Sequence, residues 1–447
     1  MKRLSWFVGV LILAVAGCAA VGKATPAQPA PEVSRLRNMN PKVPAADLGR
    51  LAADNNAFAF NLYRQVRSQK GNLVFSPFSI STALGMTYAG ARGETEKQMA
   101  KTLHFTLPQP SLHPAFNALD LSLTSRGAKD ADQYAEMVRR YGRPTPGQKR
   151  DASPAFQLRI ANSLWGQQDH RFLPVFLDLL DRNYGAGLRK SDFKKNPEGA
   201  RKAINAWVER ETMGKIRDLI AQGVIDPMTR LVLANAIYFK NGWEHPFGQT
   251  ARPGPFTLLG GKQVKADMMS QTERFQYASG QGWQAVELPY KFGGFSMVIV
   301  LPERKSFGQF EAGLDAKKAQ SIIAGLSHRK VALTMPKFKF EQEMGLKDTL
   351  SAMGMLIAFK WPDADFSGMD GMRGYLYISA VIHKAMIAVD EKGTEAAAAT
   401  AVVMATKSMP MPEEPVEFTA DHPFFFLIRD RETGSILFLG RVMNPKA

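Results

Sequence analysis

Cysteine is almost missing: Cys18 is the single one in 447 residues, so no intramolecular disulfide can staple the chain. Histidine is sparse as well, seven scattered residues. The G-x-S-x-G, H-E-x-x-H and P-loop patterns are missing, and so is any Cys/His set at zinc spacing. These absences argue against an enzyme and imply neither a metal nor another cofactor. Acidic residues are in deficit, 41 against 57 Lys and Arg, for a net charge of +16. Such a surface suits anionic partners. Basic residues do gather at Arg139, Arg140, Arg143, Lys149 and Arg150, and again at Lys190, Lys194, Lys195, Arg201 and Lys202. No aromatic stacking pattern or nucleic-acid motif accompanies them, so a solvated surface is expected and a nucleic-acid partner is not.

Long apolar runs are missing too, the exception being Leu4 to Ala16 behind Lys2 and Arg3. That run is too short and too early to span a bilayer and has the form of a signal peptide. It ends Val15-Ala16-Gly17-Cys18, which resembles a bacterial lipobox with acylation of Cys18. The resemblance implies a signal peptide over 1–17 and an exported lipoprotein anchored to a membrane of a bacterial cell envelope. Residues 18–46 carry Pro26, Pro29, Pro31, Pro41 and Pro44 and read as a tether without packing of its own.

With 45% hydrophobic residues, the chain can bury a large core, and globular sequence starts near Asp47. Asn72–Phe75 reads as a short strand, and Ser76-Pro77 as the cap and first turn of a helix. Residues 124–154, with Gly142, Pro144, Pro146 and Gly147, read as an inserted surface excursion. Leu158–Trp165 returns to strand character, and Asn196-Pro197 opens another helix. Leu231–Phe239 is a nearly continuous apolar run, as expected of a central buried strand. Asn235 inside it must find hydrogen-bond partners. Strands dominate beyond Asp267, so helices gather early and strands late. That pattern predicts one α+β domain over 47–447 with large sheets.

One stretch, Val389 to Ser408, stands apart. A turn-capable Asp390-Glu391-Lys392-Gly393 leads into Ala396–Ala399 and then into small or β-branched residues. At period two, Thr394, Ala396, Ala398 and Thr400 share one face, with Glu395 on the other. Taken alone, the stretch fits a half-buried strand, an Ala-rich linker or a short helix.

Five blocks together resemble the serpins, in serpin order: NLVFSPFSISTAL, LVLANAIYFKNGWEHPF, AVELPYKFGGFSMVIVLP, ISAVIHKAMIAVDEKGTEAAAATA and FTADHPFFFLIRDRETGSILFLGRVMNP. The resemblance implies a fold of three β-sheets, about nine helices and an exposed reactive loop. It implies a monomeric suicide inhibitor of serine, and also of cysteine, endopeptidases. A protease cuts the loop, and residues 393–407 then enter the main sheet as a new strand before the acyl-enzyme is resolved. About fifteen residues at ~3.3 Å each give roughly 50 Å of travel. By the family's spacing the reactive bond is Lys407-Ser408. Lys407 is the one Lys or Arg between Lys392 and Arg429, which favours a trypsin-like target. The hinge is Glu391, Gly393, Thr394, Glu395, Ala396, Ala397, Ala398 and Ala399. Ser76, Ser79, Asn235 and His383 fall at shutter positions, where the strands part, and Trp243 at the breach, where insertion begins. The alternative is a serpin that does not inhibit and serves as a surface binding or carrier protein. Against it, the hinge carries no proline, and of its two charges Glu391 precedes the segment that enters the sheet and Glu395 falls on the outward face.

Overall fold

A computed structural model of the chain describes residues 37–141, 156–185, 187–248, 250–291, 294–394 and 414–446, and of these the side chains of 126–135 and 137–141 are set aside. Up to Glu211 the chain is mostly helical: α1 (Ala45–Val66), α2 (Pro77–Tyr88), α3 (Gly93–Leu103), α4 (Gln109–Tyr141), α5 (Pro174–Tyr184) and α6 (Pro197–Glu211). Strands β1 (Leu73–Phe75), β2 (Gln157–Gln167) and β3 (Arg189–Ser191) interrupt them. Strands then take over with β4 (Leu231–Gly242), β5 (Arg252–Thr257), β6 (Gln263–Gly280), β7 (Trp283–Pro289) and β8 (Phe295–Pro302). After α7 (Phe307–Ala312) and α8 (Ala316–Ala324) come β9 (Ser327–Pro336) and β10 (Phe338–Gly345). The short α9 (Lys347–Ala352) and α10 (Ser367–Asp370) precede β11 (Ile378–Asp390), β12 (Gly393–Thr394), β13 (Val416–Thr419), β14 (Phe424–Asp430) and β15 (Ile436–Val442).

One sheet has six strands in the order β10-β11-β12-β4-β2-β3. The other strands follow a nine-stranded path through β6. That strand is long enough to serve two sheets. Residues 263–268 pair with β5, 268–277 with β9 and 276–280 with β7. One of these two sheets is therefore β5-β6-β9-β13, and the other runs from the end of β6 through β7, β8, β14 and β15 to β1. The three-sheet α+β architecture expected from the sequence is the one observed.

Every residue of α2 is buried, as a helix without a polar face requires. It packs against β2 and β4 on one side and β15 on the other, and so fills the space between two sheets. Its start follows the local chemistry: the Ser79 N–H donates to Ser76 Oγ at 3.2 Å, and Pro77 occupies the first turn. Strand β4 is buried on both faces. Leu231, Leu233, Ile237 and Phe239 belong to the main core, whereas Val232, Ala234 and Ala236 join a smaller core with Ile204 and Trp207 of α6.

Residues 142–154 of the expected excursion lie outside the described residues. Residues 124–141 continue α4 without a break, so this part of the excursion is helix. Gly142, Pro144, Pro146 and Gly147, which marked the excursion in the sequence, all follow Tyr141. Ala, Lys, Gln and Glu, all good helix formers, supply six of the nine residues of Ala128–Glu136.

Candidate functional site

The six-stranded sheet is closed at one end and divided at the other. Strands β4 and β11 run parallel and pair directly from Leu231↔Ile378 to Ile237↔Ala385. Further along, β12 lies between them, antiparallel to both. Thr394 pairs with Val389 on one side and Asn241 on the other, and Gly393 with Asp390 and Gly242. Residues 386–388 and 238–240 separate this two-residue wedge from the directly paired ladder.

A tight turn delivers the chain to the wedge. Asp390 Oδ1 accepts from the backbone N–H of Lys392 at 2.8 Å and of Gly393 at 3.2 Å. Trp243 clamps the turn from outside: its backbone N–H donates to Lys392 O at 2.8 Å and its indole N–H to Asp390 O at 2.9 Å. The indole stacks on Tyr290, with ring centroids 4.5 Å apart and planes 13° from parallel. Glu391 Oε1 accepts from the Ala251 N–H at 3.0 Å, and Oε2 lies 2.9 Å from Lys337 Nζ. Partial burial alone pushes the Glu391 carboxyl up. The Ala251 amide and the Lys337 ammonium outweigh it and hold the group below the usual glutamate range. Thr394 reaches the Tyr290 hydroxyl at 2.6 Å in a buried contact.

A polar cluster lies beyond the wedge, where β4 and β11 pair directly. His383 Nε2 accepts from the Ser76 backbone N–H at 3.0 Å, which fixes the ring as the Nδ1–H tautomer. Nδ1–H then donates to Asn235 Oδ1. The Asn235 amide donates to Ser79 Oγ at 2.6 Å and to Asn162 Oδ1. Ser79 Oγ also donates to Asn162 Oδ1 at 2.9 Å, and Asn162 Nδ2 returns a bond to Ser79 O at 3.2 Å. The chain of bonds links α2 to β2, β4 and β11, three strands of the divided sheet. His383 is fully buried, and desolvation pushes its pKa down to about 3. A proton on Nε2 would leave that nitrogen with no lone pair for Ser76.

The structure brings Ser76, Ser79, Asn235 and His383 together, and places Trp243, Glu391, Gly393 and Thr394 around the open end. Glu395, Ala396, Ala397, Ala398 and Ala399 of the hinge, the Lys407-Ser408 bond, and Cys18 with the leader lie outside the described residues. Two participants escaped sequence reasoning. Asn162 sits in an apolar strand with the same polar-in-apolar signal as Asn235, and that signal could have found it. Tyr290 offers no such signal, because an aromatic residue after a strand looks like any other core residue.

A family model described as Serpin (serine protease inhibitor) matches residues 53–445. An uncharacterized serpin-like protein of Thermococcus kodakarensis is 40% identical over 393 residues, covering 88% of this chain and 85% of that one. Leukocyte elastase inhibitor A of Rattus norvegicus is 40% identical over 407 residues, covering 88% and 99%. Among solved structures, human thyroxine-binding globulin complexed with thyroxine superposes with a TM-score of 0.74 at 31% identity, covering 89% of this chain and 99% of that one. Uncleaved ovalbumin does so with 0.72 at 27% identity, covering 88% and 100%.

These relatives overturn the expected localisation. The matches named here are archaeal and eukaryotic serpins, and none is a bacterial membrane lipoprotein. The lipobox reading rested on four adjacent residues, Val15 to Cys18, whereas the similarity extends over some nine-tenths of the chain. Among the described residues no helix is long and apolar enough to cross a membrane.

Proposed function

The chain belongs to the serpin family, whose description is inhibition of serine proteases, and from that premise we propose that it traps a serine endopeptidase by loop insertion. The observation that carries the proposal is the wedge: Gly393 and Thr394 already lie between β11 and β4, and the residues that follow them are small. Cleavage falls at Lys407-Ser408, and the freed segment 393–407 continues the strand begun by Gly393-Thr394. Thr394, Ala396, Ala398 and Thr400 are the inward side chains, small enough to pass between packed strands. Each entering amide and carbonyl gains one ladder partner, on β11 or on β4, so the strand is bonded along both edges. A lysine at the cut favours a trypsin-like enzyme, whose acidic pocket receives the ammonium with a charge-assisted hydrogen bond.

The Ser76–Ser79–Asn235–His383 cluster, with Asn162, serves as the gate that holds β4 and β11 together until cleavage. Trp243 and Glu391 hold the turn from which insertion starts. A second reading has one observation in its favour, the similarity to thyroxine-binding globulin, which makes the chain a carrier. The small, proline-free hinge weighs against it. Incubation with trypsin and with an elastase, followed by denaturing gel electrophoresis, tests the proposal. A complex that survives detergent supports trapping; clean cleavage with no complex for either enzyme supports the carrier reading.

A further inference from the structure

We infer that Tyr290 is the positioning residue of the hinge: its hydroxyl latches Thr394 in the wedge and so sets how readily insertion proceeds. The inference deepens the trapping proposal, and only its kinetic arm rests on that proposal. Tyr290 immediately follows β7 and belongs to none of the six strands that the wedge divides, so its bond to Thr394 ties a second sheet to the hinge. The bond is short, 2.6 Å, and both residues are buried, Tyr290 at 3% and Thr394 at 1% exposure. Among the described residues neither hydroxyl has another hydrogen-bond partner.

The ring itself is fixed from several directions. Trp243 stacks on it, Phe239 meets it edge-on with centroids 5.1 Å apart, and its backbone N–H donates to Phe295 O at 3.0 Å. Trp243 in turn holds both Asp390 O and Lys392 O, so the group that orients the tyrosine also orients the turn leading to Thr394. The latch therefore joins two ends of one preorganised unit. Burial pushes the phenol pKa far up, so it stays a neutral hydroxyl at any working pH.

The consequence concerns a competition. After cleavage, insertion races against release of the protease by deacylation. A chain whose first two residues are already paired need not reopen the sheet to begin, because the wedge holds β4 and β11 apart. Further residues then meet 388–386 and 240–238 before reaching the closed ladder at Ala385↔Ile237. Without the latch, the wedge opens more often and more of the cleaved molecules fail to trap.

The test uses the full chain in four forms: wild type, Tyr290→Phe, Thr394→Val and the double variant. Hydrogen–deuterium exchange over 389–394 is the first arm. Each single variant leaves one buried hydroxyl without its partner and should exchange about fivefold to tenfold faster. The double variant, with no orphan hydroxyl, should exchange more slowly than the product of the single effects requires. The second arm counts molecules consumed per molecule of trypsin trapped, which should rise about twofold or more in each single variant. Unchanged exchange in both single variants, or strictly multiplicative effects in the double, overturns the latch whether or not trypsin is trapped. Faster exchange with an unchanged consumption ratio overturns the link to insertion. Faster, coupled exchange in a chain whose wild type traps neither trypsin nor the elastase supports the latch and contradicts the inhibitory reading instead.

Discussion

At Gly393 an added Cβ would stand 2.6 Å from Gly242 Cα and overlap Asn241 O, because the wedge brings three backbones together there. Gly393→Ala should therefore displace the hinge without touching the protease-binding part of the loop. The expected result is a cleaved product with little or no stable trypsin complex; wild-type complex yield in this variant would contradict the placement. Thr394→Arg separates the same steps differently. A guanidinium at a position 1% exposed carries a desolvation penalty of several kcal/mol. Thr394→Arg should become a substrate, cut at the normal rate but not retained on the enzyme.

Histidine gives the pH dependence. His383 is held near 3 by burial, and His113 near 4 by burial together with the Arg92 charge. Both stay neutral in the folded protein while the unfolded chain takes up their protons below about 6.5. The unfolded state thus binds more protons as pH falls, and stability drops from pH 6.5 downward until the folded values are reached. The slope should approach about 1.4 kcal/mol per pH unit for each histidine. Urea unfolding between pH 7.5 and 4.5 measures it, and a flat profile there would show that neither ring is kept neutral by the fold.

At the scale of elements, one arginine ties the turn between α1 and β1 to the last strand. Arg441 of β15 is 3% exposed and donates to Arg67 O at 2.8 Å, Gly71 O at 3.2 Å and Gln69 O. It also meets Glu311 Oε1 at 2.6 Å, which accepts from the Tyr63 hydroxyl at 2.5 Å. Arg441→Met removes the cation and leaves a mostly buried carboxylate with three carbonyls, at a loss of about 3–5 kcal/mol. Chemical denaturation of the variant checks this, and a change under 1 kcal/mol would argue that water replaces the guanidinium without penalty.

Elements whose chemistry is local could be read from the sequence. The Ser76-Pro77 start of α2, the Asn196 cap of α6 and the doubly buried β4 all match, since caps and apolar runs act within a few residues. The length of α4 could not be read, because the sequence of Ala128–Glu136 carries no apolar stripe to announce a helix. Among site residues, Asn235 and His383 were visible as polar groups inside apolar strands. Their shared cluster with Asn162 joins positions up to 307 residues apart and exists only in the folded chain. The sequence left the stretch that follows the wedge open between strand, linker and helix, and did not show that Gly393-Thr394 already begins a strand. Its pairing with two partners and its bond to Tyr290 are tertiary facts.

For the whole molecule, trapping by loop insertion requires that the resting fold is not the most stable arrangement of this chain. The sheet is divided at one end by two residues, and the residues that could complete a full strand are tethered to them. A complete strand between β4 and β11 adds ladder hydrogen bonds on both sides, each contributing on the order of 1 kcal/mol, together with buried side chains. An ordinary nick in an exposed loop leaves stability unchanged or lowers it. The decisive measurement is the thermal unfolding midpoint before and after a single cut between Ala401 and Met411, with both fragments retained. Loop insertion predicts that the cleaved protein melts well above the intact one, by about ten degrees or more, which corresponds to on the order of ten kcal/mol gained. A midpoint that stays the same or falls after a clean cut would contradict it.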